Sequence, residues 1–162
     1  EYFMLRASAL TLRDVRMTGK YSFQYIEDAV FDGCTFDTKD AFWHAKNVTV
    51  RNSLVKGEYL AWYSESLTLE NCRIIGTQPL CYCKNLRLID CELLDADLCF
   101  ERSEVNAGIT TPVVSIKNPL AGRICVPAVG EIIRDIPGAN GEICIKEKSA
   151  KETEENACQK TY

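Results

Sequence analysis

The sequence predicts an all-β protein, a single right-handed parallel β-helix (a solenoid) with coils of about 19 residues. The first observation is a repeat, since the chain reads ESLTLENC from Glu65 to Cys72 and KNLRLIDC from Lys84 to Cys91. The second is the spacing of apolar residues within each repeat, which is two and not 3.6. A period of two is that of a strand and excludes a helical solenoid. Parallel crossovers are overwhelmingly right-handed, which predicts the hand.

Five blocks of equal length follow one another without insertion between residues 8 and 102. We number positions within a block from its first residue, so position 1 is occupied by Ser8, Glu27, Lys46, Glu65 and Lys84. Positions 3, 5, 8 and 10 are apolar in every block except at Ser53, and we expect them to fill the core. Position 7 holds residues that accept tight-turn backbone, namely Asp14, Gly33, Asn52, Asn71 and Asp90. Each block is therefore predicted to form one coil of three short strands, with charges of alternating sign stacked at position 1.

The domain organisation follows from where the repeat begins and weakens. We predict a β-helix over residues 1–145, with regular coils at 8–102 and irregular closing coils at 103–145, where Pro and Gly separate the strand-like segments VVSI, RICV, EIIRD and EICI. Glu1 aligns with position 13, so the chain begins in mid-coil, and we expect this open coil to self-associate or receive a cap. Residues 146–162 are charged and poor in apolar groups, and are predicted to form a solvated helix or a loose tail.

Composition limits the classes of function. The chain has 162 residues, of which 46% are hydrophobic, enough for one folded domain, and it contains no apolar run long enough to cross a bilayer. The formal net charge is −4, and acidic and basic residues are interspersed, so the sequence has no basic stripe of the kind that binds a nucleic acid. We therefore expect neither a nucleic acid nor a membrane as partner.

The nine cysteines do not resemble a disulfide framework. Cys34, Cys72 and Cys91 occupy position 8, where other blocks have Val or Ser, so we expect buried free thiols and a reducing compartment, the cytoplasm. Cys81 and Cys83 form a single C-x-C without the second pair that zinc sites normally have. No metal and no cofactor is predicted.

The candidate binding residues lie on the third predicted strand, positions 14 to 18, whose even and odd side chains should face opposite sides. Positions 14 and 18 are expected to face outward, and they supply Tyr21, Tyr25, Asp40, His44, Tyr59, Tyr63, Gln78, Tyr82, Asp97 and Glu101. With this assignment of inward and outward positions, Trp43 and Trp62 fill the core. Position 16 then forms an exposed apolar line: Phe23, Phe42, Ala61, Leu80 and Cys99. If the inward and outward positions are exchanged, or if the strand contains a bulge, position 16 belongs to the core and the tyrosines are packing residues.

Three functions remain open on this pattern. The preferred one is a binding module, since tyrosines with interleaved carboxylates suit a glycan, a protein partner or a second copy. The alternatives are a polysaccharide-active lyase or hydrolase and a purely structural, self-assembling solenoid. A hydrolase needs two carboxyls about 5 to 9.5 Å apart. Asp40 and Asp97 are placed three coils apart, roughly 14 Å, and Asp97 and Glu101 roughly 13 Å apart along one strand, so no catalytic residue is predicted.

Several longer motifs occur in order along the chain: KYSFQYIE from Lys20, DTKDAFWHAKNVTV from Asp37, KGEYLAWYSESLTLENC from Lys56 and IGTQPLCYCKNLRLIDC from Ile75, followed by SIKNP and GEII. Together they resemble a bacterial family known only as a domain of unknown function. The resemblance covers roughly residues 1–136. It implies a right-handed β-helix similar to that of the pectin-lyase-like superfamily and a bacterial origin, and it implies no established activity or catalytic residue.

Overall fold

The structure, a computed structural model, describes residues 1–146 and contains fourteen β-strands and no helix within that range. The strands stack in parallel as a β-solenoid of about seven turns, with coils about 19 residues apart, which confirms the predicted fold class. In the described part, no helix is long and apolar enough to span a bilayer. Residues 147–162, which make up nearly all of the predicted tail, lie outside the described range.

Two sides of each regular coil are strands. The first side is formed by β1 (Ser8–Arg13), β3 (Glu27–Asp32), β5 (Lys46–Arg51), β7 (Glu65–Glu70) and the beginning of β9 (Leu86–Leu94). The second side is formed by β2 (Arg16–Lys20), β4 (Thr35–Lys39), β6 (Leu54–Lys56), β8 (Arg73–Ile75) and the end of β9. The closing coils contribute β10 (Glu104–Ile109), β11 (Val113–Lys117), β12 (Ala121–Val126), β13 (Val129–Ile133) and β14 (Glu142–Ile145). The closing strands include or overlap the four strand-like segments predicted after Arg102.

The register between coils is the one that the repeat predicts. Phe31 lies opposite Leu12 and Val50, and Val50 lies opposite Leu69. Phe31 and Leu69 are 0% and 1% exposed, which confirms that position 5 faces the core. The charges at position 1 are also in register, Lys46 opposite both Glu27 and Glu65, although the observed ion pairs between coils join other positions.

The predicted turn at position 7 is confirmed by the backbone. Asp14, Gly33, Asn52, Asn71 and Asp90 all have φ between 50° and 66°, the left-handed region. Gly, Asn and Asp enter this region at the lowest cost, which is why these residue types recur there. The corner between the first and second sides is therefore encoded locally in every coil.

The third side of the coil is not a strand, contrary to the prediction. Positions 14, 16 and 18 have positive φ, as in Tyr59 (57°), Ala61 (60°) and Tyr63 (61°), while the residues between them do not. The N–H of Ala61 donates to the preceding coil, to Ala41 O at 2.8 Å, whereas those of Tyr59 and Tyr63 donate to the following coil. Each such backbone conformation costs about 1 kcal/mol or more, and the hydrogen bonds on both sides hold it in place.

Because this backbone is not extended, its side chains do not alternate between inside and outside. Positions 15 and 16 both point inward, so that Ala41 and Phe42 are 0% and 1% exposed, whereas Trp43 and His44, at positions 17 and 18, follow each other on the outside. The prediction that position 16 is an exposed apolar line was wrong, and the alternative that it belongs to the core is confirmed. The residues predicted to form that line are all buried: Phe23, Phe42, Ala61, Leu80 and Cys99.

The fifth coil contains one extra residue, which the block alignment did not detect. Tyr59 N donates to Thr77 O, but the equivalent N–H of Gln78 donates to Asp97 O, one residue later than the repeat predicts. Tyr82 N likewise donates to Glu101 O, so Glu101 occupies position 17. The placement of Asp97 at position 14 and Glu101 at position 18 was therefore wrong.

Candidate functional site

The outward side chains of position 18 form one continuous stack, which we call the aromatic strip: Tyr25, His44, Tyr63 and Tyr82. Successive ring centroids are 4.6, 5.0 and 4.9 Å apart, and successive ring planes differ by 8°, 10° and 13°. This spacing follows from the stacking of coils at about 4.8 Å. Tyr25 and Tyr63 are 40% and 47% exposed, so the strip lies on the surface as predicted.

Ring edges, and not ring faces, are presented to solvent by the aromatic strip. His44 and Tyr63 are each stacked on both faces, and the remaining face of Tyr25 is covered by the guanidinium of Arg6, 4.7 Å from the ring centroid. Burial, helped by the nearby charge of Glu101, raises the pKa of the Tyr82 phenol, which therefore remains a neutral hydroxyl. The strip offers a straight row of phenol and imidazole tips that can donate or accept hydrogen bonds.

Trp43 and Trp62, at position 17, lie beside the strip and not in the core, so their predicted burial was wrong. Their rings are parallel, with centroids 5.2 Å apart and planes 5° apart, and both are half-buried. The Nε1 of Trp43 donates to Tyr59 O at 2.7 Å, and that of Trp62 donates to Gln78 O at 2.8 Å. The turned backbone carries position 17 to the outside, where each indole covers a carbonyl of the next coil and leaves no indole N–H free for a ligand.

Position 14 borders the indoles on the other side and contains one buried acid. Tyr21, Tyr59 and Gln78 are half-buried there, whereas Asp40 is only 7% exposed. Its Oδ1 has no hydrogen-bond partner among the described residues. Burial raises the pKa of the Asp40 carboxyl, opposed by Lys39, whose ammonium lies 3.4 Å from a Glu58 carboxylate oxygen. Asp40 is thus a destabilising group on an otherwise well-packed face.

The remaining two candidate acids are not at the predicted positions 14 and 18. Asp97 Oδ1 accepts a hydrogen bond from Thr77 Oγ1, and a Glu101 carboxylate oxygen lies 3.4 Å from Lys117 Nζ. Because of the extra residue in the fifth coil, Arg102 and not Glu101 follows Tyr82 at position 18. The structure therefore brings together eight of the ten candidate residues, the members of positions 14 and 18 in the first four coils.

A groove of about 580 Å³ along the corner between the first and second sides was not predicted. Its lining comes from positions 7 to 9 of successive coils and includes an amide ladder. Asn71 Nδ2 donates to Asn52 Oδ1 at 2.8 Å, and Asn52 Nδ2 donates to Asp32 Oδ1 at 3.0 Å. The signal was visible in the sequence, since consecutive blocks repeat Asn at position 7, but it was interpreted only as turn formation.

The buried cysteines give no sign of a catalytic or metal centre. Cys81 and Cys83 are each 1% exposed, and burial raises their pKa to about 12 and about 11, so both remain protonated thiols near neutral pH. A protonated thiol is neither a good nucleophile nor a metal ligand. Across residues 1–146 no three His, Cys, Asp or Glu side chains converge as a metal site.

These observations define a parallel β-solenoid with one aromatic outer face. A family model described as "Protein of unknown function (DUF3737)" matches residues 1–146, and the chain belongs to this family. No curated protein and no solved structure matches the chain.

Proposed function

We propose that this chain is a protein-binding module whose aromatic strip is the docking surface, and that its partner there is a second copy of the chain. The observation that supports this most is the stacking of the strip, with ring centroids 4.6 to 5.0 Å apart. Stacked rings are already ordered, so binding costs little side-chain entropy. Tyrosines and other aromatic residues are also enriched where proteins meet each other.

Ring orientation favours a protein over a glycan. A sugar is held best when its apolar face lies flat on an aromatic face, and the faces of His44 and Tyr63 are occupied by their neighbours. Opening the stack for a sugar would lose two aromatic contacts, worth about 0.5 to 1.5 kcal/mol each. A flat protein surface instead meets the ring edges and hydroxyl tips without disturbing the stack.

The regular spacing of the strip favours a second copy as that protein. The tips recur once per coil, about 4.8 Å apart, along a straight line. The turns of a helix are about 5.4 Å apart, so a helix lying along the strip would lose register with the tips over a few coils. Another coil stack of the same chain has the same period, and two copies related by a twofold axis would meet through the same residues, as in most protein dimers.

The catalytic alternative receives no support from the acids of this face. Asp40 is buried, Asp97 is hydrogen-bonded to Thr77 and Glu101 is paired with Lys117, so no two of these three carboxyls share a site. Kinship with pectin-lyase-like proteins, a bacterial source and a cytoplasmic location stay predictions from the sequence, and the proposal does not depend on them.

Sedimentation velocity over a range of concentrations, with a glycan array in parallel, tests the proposal. Wild type should form a dimer, and both Tyr63→Ala and His44→Ala should shift it to monomer. Ile89→Ala is the matched control, because Ile89 is an exposed apolar residue, 36% accessible, on the first side of the solenoid. Thermal melting of each variant confirms that it is folded.

Three results would contradict the proposal. If wild type binds a glycan and loses it in both strip variants, the strip is a carbohydrate site. If the dimer survives Tyr63→Ala but is lost in Leu5→Lys, association occurs through the first described coil, where Leu5 is 44% exposed. If wild type is a monomer at all concentrations and binds no glycan, the strip is a packing feature.

A further inference from the structure

Two cysteines at the C-terminal end of the described chain lie side by side on neighbouring strands. Cys125 on β12 is the register partner of Cys144 on β14. Adjacent strands are about 4.8 Å apart, which is within the Cα separation of about 4.4 to 6.8 Å that a disulfide needs. The pair can therefore be joined without moving the backbone far.

Both thiols face outward. Cys125 lies between Ile124 and Val126, which are 0% exposed, so strand alternation places its side chain on the outer face of the sheet. Cys125 and Cys144 are both partly exposed, unlike the other six cysteines that the structure describes, which are buried. Disulfide exchange requires an accessible thiol, and only these two described cysteines meet that condition.

The surroundings of Cys125 form a small basic depression of about 290 Å³. Its lining includes Arg87 and Arg123, and Gly108, which lies opposite Cys125 in register, leaves the sulfur uncovered. Arg123 lies two residues before Cys125 on β12, and its Nε is 3.6 Å from a Glu142 carboxylate oxygen, so Arg87 is the arginine of this depression without an ion pair among the described residues.

We propose that Cys125 and Cys144 form a thiol–disulfide exchange site for anionic low-molecular-weight disulfides, of which oxidised glutathione is the test compound. Arg87 binds a carboxylate of the incoming disulfide. The product is a Cys125–Cys144 disulfide that links β12 to β14 and fastens the last described strand to the solenoid.

The reaction has two exchange steps. The Cys125 thiolate attacks one sulfur of the small disulfide, whose S–S bond breaks, and one small thiolate leaves. The Cys144 thiolate then attacks the Cys125 sulfur of the mixed disulfide, and the second small thiolate leaves. The protein loses two electrons and two protons, and the small disulfide gains them as two thiols.

The buried cysteines provide an internal comparison. Cys72 and Cys91 also lie on adjacent coils, but they are 2% and 0% exposed and their thiols donate to backbone carbonyls. The hydrogen bond with the neighbouring Cys91 thiol, and then burial, raise the pKa of Cys72. Proximity alone therefore should not produce exchange, and only the exposed pair should react.

The test uses the full chain with Cys158→Ser, which removes the ninth thiol of the sequence. Reduced protein is incubated with oxidised glutathione, quenched with acid and mapped by peptide mass spectrometry. We expect a Cys125–Cys144 disulfide with Cys72 and Cys91 free. In the same background, Cys144→Ser, or Cys144→Ala if the first variant does not fold, should trap one glutathione on Cys125.

Substrate charge is tested by comparing oxidised glutathione with neutral hydroxyethyl disulfide. For each disulfide, the rate of reaction with the protein is divided by the rate of its reaction with a free small thiol, which corrects for intrinsic reactivity. Arg87→Gln should reduce the preference for the anionic disulfide about two- to fivefold, whereas Arg13→Gln on β1 should not. Equal relative rates for the two disulfides in wild type would overturn the anionic specificity. Oxidation of Cys72 and Cys91 as fast as Cys125 and Cys144, or no Cys125–Cys144 disulfide, would overturn the site itself.

Discussion

Replacing Phe42 by Ala tests the inward direction of position 16 on the third side. Phe42 is 1% exposed, stacks on Phe23 with ring centroids 5.0 Å apart and meets the edge of Phe31 at 5.2 Å. Removing a buried Phe costs about 3 to 5 kcal/mol, of which each aromatic pair contributes about 0.5 to 1.5 kcal/mol. We expect the free energy of unfolding to fall by that amount.

His44→Ala is the matched control, because the two positions share the same backbone. Phe42 and His44 have φ of 62° and 54°, so alanine in the left-handed region costs the same at both. His44 lies on the surface and loses only its stacking with two tyrosines, about 1 to 3 kcal/mol. Urea denaturation of both variants should show the larger loss for Phe42→Ala. Equal losses, or a larger one for His44→Ala, would refute the assigned orientation.

Three further outcomes follow from burial. Leu69→Ala should lower the free energy of unfolding by about 2 to 5 kcal/mol in urea denaturation, and the outward Thr68→Ala by about 1 kcal/mol or less, so similar losses would contradict the register of β7. Asp40→Asn should raise the free energy of unfolding by about 1 to 2 kcal/mol at pH 7. Folding raises the pKa of the Asp40 carboxyl, so its ionised form destabilises the fold at this pH, and asparagine carries no charge. That gain should disappear below about pH 4, and a gain that is independent of pH would show that the charge is not the cause. Cys72 and Cys91 should both be alkylated when freshly purified protein is denatured without reductant, and a disulfide between them would contradict both the free thiols and the predicted cytoplasmic location.

The first two sides of the coil could be predicted from the sequence because their physics is local. Leu67 and Leu69 alternate with polar residues at the period of an extended strand, and both are buried as expected. Asn52 and Asn71 mark the turn because their side chains tolerate positive φ. Because these signals repeat every 19 residues, the coil length and the core positions could be predicted from them.

The third side could not be predicted, because its conformation is imposed by neighbouring coils. Phe42, Ala61 and Tyr63 are not residue types that favour positive φ, yet inter-coil hydrogen bonds hold them there. The five-residue segment that contains Phe42 and Trp43 is therefore mistaken for a strand. That mistake places Phe42 outside and Trp43 in the core, the opposite of what the structure shows. The extra residue before Asp97 has no local marker either, and it is seen in the structure from the shifted hydrogen bonds and from the positive φ of Leu98, Phe100 and Arg102.

Photocrosslinking from the aromatic strip tests the proposed docking most directly. The photoreactive phenylalanine derivative p-benzoylphenylalanine is placed at Tyr63, which is 47% exposed, and at Ile89 as control, and the protein is irradiated at a concentration where wild type sediments as a dimer. We expect a crosslinked dimer from position 63 whose mapped peptides contain the strip of both copies, and little crosslinking from position 89. Crosslinks from position 63 to the first coil of the other copy, or no crosslinked dimer, would contradict the proposed docking.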